Sequence, residues 1–485
     1  MAETFLYEQI CRRIVEQIRD RTYAAGERLP SVRQLSRLFG VSVNTVLRCY
    51  RQLESKGYLE ARPQSGFFVR LVTPEAAQPV RRRFPLLPVE VSLSERVLHY
   101  MEPHTQPDMV KLGIALPAPE ILPVRKVLQT LADVARRQPR EAWDYLHPNG
   151  NAVLLHHLAR RSLTYEARLT ADDIIVTSGC MEALALALNC VSRPGDAIAV
   201  ESPTYYGTLL LLEAHRRRAV EIPARAGEGI CLDTLARVFA EGRVKALIFS
   251  ANAQNPLGFT MATERKRALA ALAEKYRIPL IENDIWGDTV YDAEQALPAK
   301  AFDRQGLIIY CSSFSKVLIP GVRIGWAAPG RFHRRFRELK QLSTITSASA
   351  PQIALGRLLE SGFYAQHVRE LRARLRTQVE DTAREVMRVF PRGTRLVTPS
   401  GGCVLWIRLP YAVDPDRLFE AAVQAGIHIF PGQVFSQSGA HRRYLRLNAG
   451  NPLTPAVKRA IGELARLVER LGGGSAAPPR QAYGS

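Results

Sequence analysis

Apolar residues recur every three or four positions through the first sixty residues, whereas beyond about residue 109 they gather into solid runs between longer periodic segments. Ile10, Ile14 and Ile18 mark one face of a first helix, which Gly26 helps to end. Ser31 followed by Gln34 has the spacing of a capping box. It predicts a second helix with Leu35 and Leu38 on the buried face and a stop at Gly40. Ser42 then caps a third helix, with Val46, Tyr50 and Leu53 on one side and Asn44, Arg48 and Arg51 on the other. One side packs; the other is polar and cationic. The stretch 58–69, YLEARPQSGFFV, reads as two short strands about a Pro-Gln-Ser-Gly turn. Helices followed by a hairpin predict a winged helix over residues 1–71.

Residues 72–108 open with a proline-rich stretch that carries Arg81, Arg82 and Arg83 and shows no helical period, so this segment is expected to be a stiff linker. From 109 to 472 apolar strands alternate with long helices. The strands are IIVTS at 174–178, AIAV at 197–200, ALIFS at 246–250, PLIEN at 279–283 and LIIYCSS at 307–313. Such alternation predicts an α/β domain with a mostly parallel central sheet, whose ligands bind at the carboxyl ends of the strands. The last residues, 473–485, read as a flexible tail.

Composition adds two constraints. At 485 residues the chain is too long for one core, and its excess of Lys and Arg over Asp and Glu gives a net charge of +20, which fits a polyanionic partner. Seven scattered cysteines without a CxxC pair or clustered Cys/His ligands argue for reduced thiols and against a metal site. No apolar run approaches a bilayer span and the first residues lack a signal-peptide core, so a cytoplasmic protein without membrane contact is expected.

Candidate chemistry lies at the strand ends. Ser178-Gly179-Cys180-Met181 joins a strand to a helix start, which leaves backbone N–H groups and a positive dipole end for an anion. Pro203-Thr204-Tyr205-Tyr206-Gly207 places an aromatic ring beside the same ends. Asn255-Pro256-Leu257-Gly258 and Glu282-Asn283-Asp284-Ile285-Trp286 follow. CSSFSKVLIPGVRIGW, 311–326, puts Ser313, Ser315, Lys316 and Arg323 just past a buried strand. Folding does not require a lysine there; a Schiff base with an aldehyde needs an amine kept neutral by nearby cations.

Two family resemblances rest on these residues. The segment 29–60, LPSVRQLSRLFGVSVNTVLRCYRQLESKGYLE, resembles the DNA-binding domain of GntR regulators. That likeness implies that Arg33, Ser42, Asn44, Thr45 and Arg48 lie near double-stranded operator DNA. Val43 departs from the pattern, since many relatives carry an arginine there. The strand-end motifs together resemble the fold-type I, pyridoxal phosphate-dependent class I aminotransferases. By that resemblance Lys316 is the catalytic lysine that bonds the cofactor, Tyr205 stacks on its ring and Asn255 meets its phenolic oxygen. Gly179, Cys180, Ser313, Ser315 and Arg323 surround its phosphate, and Tyr145 in YLHPNGN reaches the phosphate of a second subunit, which implies a homodimer. Arg446 in YLRLNAG is implied to grip a substrate carboxylate.

The likeness fails at one place. Aminotransferases set an Asp against the pyridine nitrogen in a DxxY pattern; here NDIW puts Asn283 at the Asp position and Trp286 at the Tyr. Asp284 takes over only if the strand bulges or ends early, because adjacent strand residues point to opposite faces. Asn283 is therefore expected to face the ring, which permits cofactor binding and slows proton removal from substrate.

A winged helix joined to an aminotransferase-like domain resembles the MocR-type subgroup of the GntR family. The resemblance implies a transcription factor that binds pyridoxal phosphate and senses an amine, an amino acid or the cofactor itself. Displacement of Lys316 by the effector would then shift the presentation of the winged helices. The alternative is a working class I aminotransferase with an accessory DNA-binding module.

Overall fold

The computed structural model describes residues 6–19, 22–23, 26–55, 58–62, 65–69, 86–292 and 296–473. The first elements are α1 (Leu6–Arg19), α2 (Val32–Phe39), α3 (Val43–Ser55), β1 (Leu59–Arg62) and β2 (Gly66–Val69). The capping box forms as expected. Ser31 Oγ accepts from Gln34 N at 3.3 Å, and Gln34 Oε1 accepts from Ser31 N at 2.9 Å; losing such a cap costs about 1 kcal/mol. Gly40 ends α2 at φ 63, and its N–H donates to the carbonyls of Ser36 and Arg37. β1 and β2 pair antiparallel from Leu59 opposite Val69 to Arg62 opposite Gly66.

Ile10, Ile14 and Ile18 of α1, Leu35 of α2, and Val46, Cys49, Tyr50 and Leu53 of α3 close one core. Each fully buried aliphatic side chain there contributes roughly 1.5–3 kcal/mol. Leu38, expected inside, is 75% exposed. The covered stripe of α2 runs through Val32, Leu35 and Phe39, and Leu38 lies beside it.

The larger body begins with β3 (Val89–Glu90), α4 (Ser94–Met101), β4 (Val110–Lys111), α5 (Val124–Arg137), α6 (Pro139–Trp143) and α7 (Ala152–Ser162). It continues through β5 (Ile175–Thr177), α8 (Cys180–Val191), β6 (Ala197–Ser202), α9 (Tyr206–Ala214), β7 (Arg218–Arg225), β8 (Gly229–Ile230) and α10 (Leu232–Ala240). Next come β9 (Ala246–Phe249), α11 (Thr263–Tyr276), β10 (Leu280–Asn283), β11 (Ile308–Ser313) and β12 (Gly325–Ala328). The chain then passes through α12 (His333–Thr344), α13 (Ser349–Glu360), α14 (Phe363–Val389), β13 (Arg395–Val397), β14 (Val404–Arg408) and α15 (Pro415–Gln424). It closes with β15 (Ile427–His428), β16 (Phe430–Pro431), β17 (Tyr444–Asn448) and α16 (Pro455–Gly473).

β3 and α4 fall within the stretch expected as linker. Val91, Leu93, Val97 and Tyr100 are buried in the main core, and Glu213 accepts from Leu93 N, Ser94 N and Ser94 Oγ at 2.7–3.0 Å. The linker expected over 72–108 is thus folded into the larger body from β3 onward. Arg81–Arg83 and the tail beyond 473 lie outside the described residues.

The main sheet has the order β3-β7-β6-β9-β10-β11-β12-β5, with β8 added on β7. The pairs from β7 through β11 are parallel, and β12 enters antiparallel between β11 and β5. Every residue of β6, β9, β10 and β11 is buried, so this mostly parallel sheet is covered on both faces. The carboxyl ends of β5, β6, β9, β10 and β11 lead into the five candidate motifs. A second, antiparallel sheet, β13-β14-β17-β16, carries Arg446 opposite Trp406 and Phe430. β15 pairs with β4 and draws the stretch after β4 alongside.

Candidate active site

The turn between β5 and α8 is the first part of the site. Gly179 sits at φ 91 as the residue before α8, and no side chain caps that helix. The Arg323 guanidinium lies across this helix start: Nη2 donates to Ser178 O at 3.2 Å, and Nη1 lies 3.5 Å from Ser315 Oγ and Pro320 O. A Cβ at Gly179 would stand 2.5 Å from Arg323 Nη2, and at φ 91 any side chain would be strained, so glycine lets the arginine lie this close. Ser313 Oγ accepts from Ser315 N at 3.2 Å and bends the chain after β11 toward Lys316. Together these groups form a cationic pocket of N–H donors at a helix start, suited to a phosphate.

Lys316 and Arg446 form the second part. Lys316 Nζ donates to Ala115 O at 2.7 Å and lies 5.1 Å from the Trp286 ring centre. Burial, reinforced by Arg446 and Arg323, lowers its ammonium to about 8. Arg446 is fully buried, held by Nη1 donating to Asn255 Oδ1 at 3.1 Å and Nη2 donating to Gly113 O. Its Nε has no partner, and among the described residues no carboxylate pairs with it. The rings of Phe435, Phe430 and Tyr206 stand 4.9, 5.2 and 5.7 Å from its Cζ. Tyr205 packs on Tyr206 at 4.6 Å, and burial raises its phenol above the usual range. A buried guanidinium with an unused donor and no acid beside it can receive a carboxylate from a ligand.

Asn283 and Asp284 part company. Asn283 Oδ1 lies 3.5 Å from Cys180 Sγ, a buried thiol that burial raises to about 12, and accepts from Ile285 N at 3.4 Å. Asn283 therefore faces the start of α8. Asp284, entertained as a cofactor contact, points elsewhere. Its carboxyl accepts from Asn252 Nδ2 at 3.0 Å and Tyr310 OH at 2.8 Å, and lines a cavity of about 220 Å³ with Arg161, Tyr165, Asp288 and Arg372. The reason is strand alternation. Asp284 N still donates to Cys311 O at 2.8 Å, so the β10–β11 ladder runs on without a bulge and successive side chains take opposite faces. Burial, and Glu282 nearby, hold Asp284 well above the usual carboxylate range.

Tyr145 is 74% exposed and does not enter the site of its own chain. In the winged helix, Arg33, Ser42, Asn44 and Arg48 are exposed, and half-buried Thr45 bonds Ser42 Oγ at 2.8 Å.

Several supporting groups escaped the sequence. The carbonyls of Gly113 and Ala115, which hold Arg446 and Lys316, are backbone atoms without a residue signature. Glu182 accepts from Ser178 N at 2.6 Å and from buried Lys340 Nζ at 2.9 Å, and Lys340 Nζ also donates to Ser347 Oγ at 2.9 Å. This cluster fixes the Ser178-Gly179 turn. Its only sequence trace is Glu182 in the first turn of α8.

Comparison with known proteins accords with both halves. Residues 6–69 match the model of bacterial regulatory proteins of the gntR family, and residues 107–464 match that of the class I and II aminotransferases. The chain is 35% identical over 467 residues to the uncharacterized HTH-type transcriptional regulator YdcR of Escherichia coli K12, covering 96% of this chain and 99% of that one. The chain is a MocR-type member of the GntR family. A second such regulator of that organism, YjiR, is 33% identical over 96% of this chain and 99% of its own. Aromatic-amino-acid aminotransferase 1 of Thermococcus litoralis is 30% identical, over 75% of this chain and 88% of that one. Among solved structures, the multiple substrate aminotransferase of Thermococcus profundus superposes with a TM-score of 0.71 at 26% identity, over 79% of this chain and 96% of that one.

Pyridoxal phosphate is the cofactor that goes with this fold, and the donor set fits it. A lysine amine lowered toward neutrality, an uncapped helix start crossed by Arg323 over Gly179, and an aromatic flank at Tyr205 are all in place. Among the described residues no group of His, Cys, Asp and Glu is placed to hold a metal, and no helix is long and apolar enough to cross a membrane.

Proposed function

We propose that this chain is a transcriptional regulator that binds operator DNA through its winged helix and senses an amine or amino acid in a pyridoxal phosphate site centred on Lys316. The observation that carries this reading is a lysine whose amine burial lowers to about 8 beside a buried arginine with no acid partner among the described residues, on the same chain as a winged helix with an exposed cationic face.

The proposed roles are these. Lys316 supplies the amine that anchors the cofactor aldehyde. The α8 start at Gly179 and Cys180, with Arg323, Ser313 and Ser315, receives the phosphate. Tyr205 and Trp286 would flank the ring, Asn255 would meet its phenolic oxygen, and Arg446 would take a carboxylate of the effector. Bound pyridoxal phosphate supplies an aldehyde that captures primary amines and a ring that spreads developing charge. Asn283 stands where a carboxylate would keep the ring nitrogen protonated, and a neutral amide does that poorly. The site is thereby biased toward holding an amine over turning it over.

Arg33, Ser42, Asn44, Thr45 and Arg48 form the DNA-reading face of the module. A homodimer completes the cofactor site. Exposed Trp143, Tyr145, Met181, Leu342 and Ile345 rim the Ser178 turn, which is tied to the α12–α13 junction by Ser178 Oγ and Ser347 Oγ at 3.3 Å. Ser349 Oγ donating to Asp144 O at 2.7 Å brings the Tyr145 segment to the same edge. A second copy covering this rim would carry its Tyr145 toward the phosphate.

An effector changes DNA affinity only by binding two states unequally, and a coupling of about 1–3 kcal/mol gives roughly a 5- to 150-fold change. The test uses the cofactor-loaded chain and a duplex selected by it from a random pool. Affinity is expected to shift at least about fivefold with one amine of a panel, and not in Lys316→Ala. Affinity indifferent to every amine would refute sensing. Lys316, whose amine burial lowers to about 8, and buried Arg446, together with 30% identity over 75% of this chain to an aminotransferase, favour a second reading as an enzyme. Rapid formation of pyridoxamine phosphate from a donor amino acid, discharged by a 2-oxo acid, would establish that reading.

A further inference from the structure

Cys11 and Cys49 face each other across the packed helices α1 and α3 of the DNA-reading module. Their Sγ atoms are 2.7 Å apart, and Cys11 Sγ also points at Cys49 O at 3.6 Å and Gln52 Oε1 at 3.4 Å, so its thiol is aimed at α3. Neither is in a disulfide, and both lie in the core that Ile10, Ile14, Val46 and Tyr50 build. A disulfide has a sulfur separation of about 2.05 Å, so closure asks each sulfur to move by only about 0.3 Å, within the reach of side-chain rotation. The residues expected to meet DNA, Arg33, Ser42, Asn44 and Arg48, have exposed side chains, whereas Cys11 and Cys49 are buried.

We propose that Cys11 and Cys49 are a site of reversible oxidation, forming a disulfide that staples α1 to the DNA-reading helix α3 without disturbing the surface that α3 presents. The oxidant is a hydroperoxide. Cys11 is 7% exposed and Cys49 fully buried, and α1 is the first helix, so local opening of α1 presents Cys11 first. The Cys11 sulfur attacks hydrogen peroxide, the O–O bond breaks, and Cys11 sulfenic acid and one water form. When α1 docks again, the Cys49 sulfur attacks the sulfenyl sulfur, the S–O bond breaks, and the hydroxide leaves as water with the Cys49 proton. Two electrons and two protons pass from the thiol pair to one peroxide, giving two waters. A small dithiol reverses the bond by exchange. The hydrogen bond with the Cys11 thiol, then burial, raise Cys49 above the usual range, so the pair waits for opening of α1 and does not react as a pre-formed thiolate.

The test treats the full chain with graded hydrogen peroxide, blocks remaining thiols, and maps peptides by mass. The expected product joins the Cys11 and Cys49 peptides, is lighter by two hydrogens, and disappears with dithiothreitol. Half-buried Cys190 and Cys231 serve as internal references. If those two are oxidised while Cys11 and Cys49 remain alkylatable, or if Cys11 reaches the sulfinic acid unlinked, the proposal is overturned. Hydrogen exchange should slow at least about tenfold across α1 in the linked form, and unchanged exchange would overturn the staple. Affinity for a mixed-sequence duplex at about 50 mM salt should stay within about twofold; its loss would refute the claim that the surface of α3 is kept. Cys11→Ser and Cys49→Ser should each abolish the linked peptide. The wild-type mapping decides the matter even if neither variant folds.

Discussion

Arg446 offers the sharpest separation of a ligand-binding role from a structural one. An arginine that serves stability is balanced by an acid, and removing one member of a buried ion pair costs about 3–5 kcal/mol. Among the described residues Arg446 has no acid beside it; it is fully buried, its Nε is unused, and burial lowers its pKa. In Arg446→Met the protein loses two hydrogen bonds, to Asn255 and Gly113, but is relieved of an uncompensated buried charge, which itself costs several kcal/mol. The two nearly cancel, so the unfolding free energy of the ligand-free protein should change by no more than about 1 kcal/mol in either direction. Ligand binding should behave otherwise. Charge-assisted hydrogen bonds are worth about 1.5–3 kcal/mol each. A carboxylate held by two of them is then weakened by at least about 3 kcal/mol, or roughly 150-fold. The assay compares thermal shifts of the cofactor-loaded wild type and variant with an amino acid and with the amine that lacks its carboxylate. Wild type should prefer the amino acid; the variant should not distinguish them. Marked destabilisation with ligand preference intact would show that Arg446 is structural and refute the reasoning.

Asn283→Asp should restore a carboxylate beside the ring nitrogen and speed the half-reaction with an amino acid by at least about tenfold, seen in stopped-flow absorbance; an unchanged rate would show that Asn283 does not limit turnover. Lys340→Met leaves Glu182 without its buried cation and should cost about 3–5 kcal/mol in thermal stability and weaken cofactor binding through the Ser178 turn. Glu201 is buried with one oxygen unpartnered, and burial raises it to about 8. A carboxyl whose folded pKa lies above its unfolded 4.5 stabilises most fully below 4.5, and that stabilisation is lost as pH rises to about 8. Glu201→Gln should therefore flatten the fall in thermal midpoint between those pH values, and a fall as steep as in wild type would exclude Glu201 as its source.

Local chemistry was well written in the chain. Ser31 and Gln34 announced the start of α2, and the apolar runs announced β6, β9, β10 and β11, because caps and buried strands depend on neighbours in sequence. Strand alternation alone placed Asn283 and Asp284 on different faces, as the structure has them. What escaped depends on distant partners. β3 and α4 passed for linker because their support, β7 and Glu213, lies some 120 residues on. Leu38 passed for core because periodicity marks an apolar stripe without saying what covers it. The carbonyls of Gly113 and Ala115 leave no trace in residue type, and the meeting of Cys11 and Cys49 needs the packing of α1 on α3.

Lys316 bears most of the weight, and a titration with pyridoxal phosphate followed in the visible spectrum addresses it directly. With its amine lowered to about 8, about one-tenth is neutral at pH 7, against roughly one in three thousand for an ordinary lysine. Wild type should acquire the absorbance band of lysine-bound cofactor, faster as pH rises through 8, and Lys316→Ala should show only the spectrum of free or loosely held aldehyde. Identical spectra from the two proteins, or no spectral change in either, would contradict the assignment.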